Sequence, residues 1–161
     1  MKYREGLRAF LDFVGDRYEM VVYCRGRREC CEPVLDALES DKKHFAHRLY
    51  GDMVLFENAE YSMKFYNFLL CGDRSEDNTI ILDAGVAVYA LNMYNGVPVE
   101  PLALTPGKPS SPDYTLVHVA HFLEEMRSVP SVSKAFVSII LKCLHEPQPT
   151  TEEDPRGMTK A

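Results

Sequence analysis

Cys24 follows a run of four apolar residues, Met20-Val21-Val22-Tyr23, and stands beside Arg25. A thiol next to a fixed cation is biased towards thiolate, the form that attacks electrophiles. A cysteine nucleophile also needs a base and donors for the charge that develops, and neither adjoins Cys24 in sequence, so packing is its competing role. Asp83 ends a second apolar run, Thr79-Ile80-Ile81-Leu82. A carboxylate in that place can hold a hard cation or simply cap the segment that follows. His118 and His121 are spaced i, i+3 and can share a helix face, but no third ligand stands at a zinc spacing. Glycine-rich phosphate loops are absent.

The five cysteines, Cys24, Cys30, Cys31, Cys71 and Cys143, form no Cys-x-x-Cys pair. Their odd number and scatter through apolar stretches read as free thiols of a reducing compartment. The 161 residues suffice for one domain with a core. A net charge of -6 offers no basic footprint, so nucleic acid is not the expected partner. No stretch approaches the roughly 20 apolar residues of a membrane span, and no membrane segment is expected.

The elements that must position these groups follow from periodicity. Leu7, Phe10, Leu11 and Val14 predict a helix over Gly6 to Val14. Met20 to Tyr23 reads as a strand buried on both faces, and Arg27 to Leu38 as a helix that Pro33 could kink. Helix, strand and helix in quick succession predict a parallel α/β sheet. Arg48-Leu49-Tyr50 and Val54-Leu55-Phe56 read as short strands, with Asn58-Ala59 as turn residues. Tyr61 to Leu70 is aromatic-rich and ambiguous, and Cys71 to Asn78 is a polar loop. Thr79 to Leu82 is a second buried strand, Val86 to Leu91 a short helix, and Val97-Pro98-Val99 an edge strand, where proline is tolerated. Leu104 to Pro112 is a loop. Asp113 is the expected N-cap of a helix to Met126, and Ser131 that of a last helix to about Leu144. Residues 146–161 are polar with three prolines and read as a disordered tail behind a domain at 1–145.

Taken in order, these segments resemble the FCP/SCP-type phosphatase-like domain. Arg4-Glu5-Gly6 with Phe10-Leu11 is similar to the family's Arg-Pro-Gly and following Phe-Leu. Tyr18 to Tyr23 resembles its second core strand. Glu32-Pro33-Val34-Leu35-Asp36, His47-Arg48-Leu49-Tyr50, Thr79 to Asp83, Asn95-Gly96-Val97-Pro98-Val99 and Phe122-Leu123-Glu124 also fit. The resemblance spans roughly residues 4 to 128. It implies an α/β fold, a partial doubly wound parallel sheet of the haloacid-dehalogenase (Rossmann) type, with a small β-hairpin insertion and C-terminal helices. In such sheets the site lies beyond the C-terminal strand ends, where Cys24 and Asp83 would face one cleft.

Phosphatases of this family use an aspartate nucleophile and a second aspartate two residues on, both at one strand tip, because i and i+2 project to the same side. The sequence contains no Asp-x-Asp. By resemblance, Cys24 replaces the phosphate-binding Thr or Ser, and Met63 the phosphate-clamping lysine. Lys64 is one residue away, which in an extended segment turns it to the opposite face. Asp83 matches the magnesium-ligand aspartate, but Ala84-Gly85 replaces the Asn-Ser after it. The strand that bears the acid pair belongs between the two apolar strands. Without it, either those strands close up and pair or the chain is a fragment of a longer protein.

Two functions compete. The first is a catalytically degenerate binding module resembling the presequence-receptor subunit of the mitochondrial inner-membrane translocase. It would take basic amphipathic peptides, which suits the charge of -6, and would need no cofactor. The second is a protein Ser/Thr phosphatase of the RNA polymerase II tail type, acting on a phosphoprotein with magnesium held partly by Asp83, its nucleophile segment lying outside this chain. The first points to a mitochondrial inner-membrane complex and the second to the nucleus.

Overall fold

Gly6 starts the first helix from a left-handed conformation, φ 74°, that a side chain would resist. Helix α1 (Leu7–Gly15) then buries Leu11 and Val14, as its spacing predicts. The computed structural model describes residues 3–51, 54–57, 62–64, 66, 69–102 and 112–145. The elements that follow α1 are β1 (Met20–Tyr23), α2 (Arg28–Leu38), β2 (Phe45–Leu49), β3 (Val54–Glu57), β4 (Ser62–Lys64) and β5 (Ile81–Asp83). A 3-10 segment (Val86–Asn95), β6 (Gly96–Pro98), α3 (Thr115–Met126) and α4 (Val132–His145) follow among the described residues.

The class is α/β, with two parallel strand pairs, an antiparallel hairpin and two C-terminal helices. Strand β1 pairs with β2 in parallel, and α2 is the crossover that a parallel pair requires. Strand β5 pairs in parallel with β6, and β3 with β4 antiparallel. Among the described residues no ladder joins β1 to β5, so they have not closed up on each other. Both nevertheless pack on the same two clusters. Met20, Ile80 and Leu82 lie against Val14, Val119 and Leu123 of α1 and α3. Tyr23 and Ile81 lie against Tyr66 and Tyr89.

Several expectations are corrected. Every residue of β1 is half-buried rather than buried, because the described residues flank it on one edge only. The strand expected at Arg48 to Tyr50 is β2, which begins earlier, at Phe45, ends at Leu49 and pairs with β1. A local pattern carries no record of such a distant pairing. Pro33 leaves α2 continuous. The 3-10 segment runs past Leu91 to Asn95, with non-helical backbone at Tyr89 and Asn92. Asp113 stands one position before the N-cap, Tyr114, yet its carboxylate still accepts the Thr115 N–H at 3.0 Å. The expected turn at Asn58-Ala59, most of the loop at 104–112 and the tail at 146–161 lie outside the described residues.

Two clamps hold the helices to the strands. Arg4 donates to Asp113 Oδ1 at 3.0 Å and to the Glu100 carbonyl at 2.5 Å, tying the start of the chain to the segment after β6 and to α3. Ser131 caps α4 as its residue type predicts: its hydroxyl accepts the Lys134 N–H at 3.3 Å and donates to Asp77. The Asp77 carbonyl accepts the Val132 N–H at 2.8 Å.

Candidate functional site

The C-terminal end of β1 is held by its partner strand. The Cys24 N–H donates to the Leu49 carbonyl at 2.8 Å, one rung past the last residue of β1. The Gly51 N–H then donates to the Gly26 carbonyl at 3.1 Å. A methyl group on Gly51 would stand 2.2 Å from the Arg25 carbonyl oxygen, so only glycine permits this approach. The turn Cys24-Arg25-Gly26 is thus pinned against the end of β2. Cys24 is half-buried and Arg25 is exposed. Beside them the Arg28 guanidinium stacks 4.9 Å from the centre of the Tyr50 ring.

The register of β2 depends on Glu39, whose side chain is 3% exposed. Its carboxylate accepts the N–H groups of His44 at 2.5 Å and Phe45 at 2.8 Å and the Arg48 Nε at 3.1 Å. Burial pushes this carboxyl up, but the Phe45 amide, the Arg48 guanidinium and the His44 amide outweigh it and hold it below the usual range. Arg48 also donates to Asp36 Oδ1 at 2.6 Å, joining α2 to β2.

Asp83 ends β5 as predicted. Its Oδ1 accepts the Gly85 N–H at 3.0 Å, the local cap that a strand-ending aspartate can make. Its charge also reaches Tyr66 and Tyr89. Burial, and then the Asp83 carboxylate, raise the Tyr66 phenol far above its ordinary value and raise Tyr89 in the same direction. Tyr66 in turn meets Tyr23 edge-on, ring centroids 5.7 Å apart. The ends of β1 and β5 therefore converge on one buried tyrosine. Sequence reasoning missed Tyr66; the one signal was the aromatic-rich run at 61–70, which has no clear period.

The other expected residues are dispersed. Lys64 lies in β4, opposite Val54 in the β3 ladder, with Met63 next to it in the same strand. His118 and His121 are exposed on α3. Among the described residues no three His, Cys, Asp or Glu side chains gather as a metal site. Asp83 supplies one carboxylate whose Oδ1 already serves Gly85, and Ala84 and Gly85 bring no side-chain oxygen. These residues do not fit magnesium as a ligand set, and no step is routed through it.

What the arrangement can do follows from its donors. Phosphoryl transfer through an acyl phosphate needs a carboxylate nucleophile with an acid two residues on. Strand β1 ends in Tyr23, with Cys24 the next residue, and β5 in a single aspartate. Binding of a peptide by strand edges and apolar side chains makes no such demand.

Residues 1–133 match the family described as NLI interacting factor-like phosphatase. The chain is 27% identical over 100 residues to CTD small phosphatase-like protein 3 of Caenorhabditis elegans, covering 62% of this chain and 33% of that protein. It is 28% identical over 138 residues to mitochondrial import inner membrane translocase subunit TIM50 of Yarrowia lipolytica, covering 83% of this chain and 28% of that one. It is 31% identical over 130 residues to nuclear envelope morphology protein 1 of Saccharomyces cerevisiae, covering 73% and 27%. The chain therefore spans about a third of the length of these relatives. Its fold is similar to that of a beryllium fluoride-bound variant of the fission yeast RNA polymerase II CTD phosphatase Fcp1. The TM-score is 0.54 at 18% identity, covering 88% of this chain and 40% of that one.

Proposed function

The chain belongs to the NLI interacting factor-like phosphatase family, and on that premise we propose that it is a catalytically degenerate member that binds a protein or peptide segment. The observation that carries this reading is the missing acid pair: the sequence contains no Asp-x-Asp, and the turn after Asp83 offers no second ligand. The occupant is a basic amphipathic peptide of the presequence kind, as the likeness to a mitochondrial import translocase subunit suggests. The charge of -6 favours such a ligand electrostatically.

The second reading is a magnesium-dependent protein Ser/Thr phosphatase of the RNA polymerase II C-terminal-domain type, with the nucleophile strand supplied from outside this chain. One observation favours it. Strands β1 and β5 pack on the same clusters without pairing to each other among the described residues, which leaves a place for an intervening strand.

Turnover of p-nitrophenyl phosphate with magnesium, measured beside anisotropy of a labelled presequence peptide, separates the two. Saturable peptide binding with no turnover supports the module. Turnover abolished by Asp83→Asn replaces it with the phosphatase.

A further inference from the structure

Helix α4 carries charge of one sign. Its fourteen residues include Lys134 and Lys142 and no acidic side chain, in a chain whose net charge is -6. The two lysines bracket an open groove of about 400 Å³ whose lining includes Val137, Ser138 and Leu141. They are eight residues apart, about 12 Å along the axis, so they flank two turns of one face. Leu141, in the groove, is 50% exposed. The opposite side of α4 is occupied: Phe136 meets Phe122 of α3 edge-on at 5.7 Å, and the helix packs on the 3-10 segment. Among the described residues neither lysine makes an ion pair, although the Ser131 hydroxyl and then the Lys134 charge help hold the Asp77 carboxyl, beside the α4 cap, below its ordinary value.

We propose that this face of α4 docks an acidic amphipathic helix of a partner protein, its apolar stripe on Val137 and Leu141 and its carboxylates on Lys134 and Lys142. Charge selects this occupant. A second copy of the same face would bring lysine against lysine in either a parallel or an antiparallel pair, which costs association rather than favouring it. An anionic lipid surface calls for a polybasic face, and α4 offers two lysines on an acidic protein. Apolar anchors at helical spacing with charges at both ends are the arrangement by which one helix receives another. The surface is opposite in sign to one that takes a basic peptide, so it does not depend on the function proposed above.

The test uses the full chain and a short fluorescein-labelled helix-forming peptide with a leucine stripe bracketed by glutamates. Saturable binding is expected, weakened about tenfold by Lys134→Glu with Lys142→Glu and restored when the peptide's glutamates become lysines. Circular dichroism checks that the variant keeps its helices. No binding, or equal binding of the glutamate and lysine peptides, overturns the proposal. So does a stronger response to phosphatidylserine vesicles than to the peptide, or a concentration-dependent dimer lost on Leu141→Asp.

Discussion

The Tyr23 ring meets Tyr66 edge-on, with centroids 5.7 Å apart and planes at 81°. Through this pair the last residue of β1 and the strand end marked by Asp83 share one packing centre, although the two strands belong to different ladders. Tyr66→Ala removes that centre. It is expected to destabilise the fold by about 3–5 kcal/mol in urea unfolding, the cost of deleting a large buried aromatic. A loss below about 1 kcal/mol would show that the ring is not the link between the strand ends.

The same tyrosines set an alkaline limit. Burial and Asp83 raise the Tyr66 and Tyr89 phenols above their ordinary value of 10.0, so the folded state keeps protons that the unfolded chain releases. Their contribution to stability is complete below that pH and is lost as pH rises above it. Urea midpoints should fall between pH 10 and 11, and Tyr66→Phe should flatten the fall. An unchanged slope in that variant would count against the assignment.

Glu39 makes the complementary prediction at acid pH. Its carboxyl is held below the ordinary 4.5, so its stabilisation is present above that value and is lost as pH falls through the lowered one. Glu39→Gln leaves the Arg48 charge without its buried partner and should cost about 3 kcal/mol near neutrality. The variant should also show a shallower decline in stability between pH 5 and 3, measured by chemical denaturation.

Gly51→Ala places a methyl group 2.2 Å from the Arg25 carbonyl. The backbone must part there, at an expected cost of about 1–3 kcal/mol. The turn that carries Cys24 should loosen with it, so iodoacetamide should label Cys24 faster than in the parent chain. Unchanged labelling and thermal stability would mean that the turn is not pinned by this approach.

What sequence could reveal here was local. The α1 stripe of Leu7, Phe10, Leu11 and Val14, the Ser131 cap and the strand-ending Asp83 each depend on neighbours within a few residues, and each is where its pattern places it. The β1 run also reads correctly as a strand, but its burial does not, because exposure depends on which strands flank it. The partner of β2 and the role of Tyr66 rest on contacts between residues more than twenty positions apart, Met20 to Tyr23 with Phe45 to Leu49, and Tyr23 with Tyr66. Aromatic residues in a segment without a period give no direction for such contacts. Of the candidate site, the sequence showed Asp83 at a strand end, but the Gly85 amide that its Oδ1 accepts and the tyrosines packed at that end depend on the folded chain.

Beryllium fluoride tests the proposed degeneracy most directly, since it forms a stable acyl-phosphate mimic only on a carboxylate nucleophile with magnesium. Fluorine NMR of the purified chain with magnesium, beryllium and fluoride should show free fluoroberyllate species and no protein-bound resonance. A bound resonance that disappears in Asp83→Asn would contradict the account and restore phosphoryl transfer to this chain.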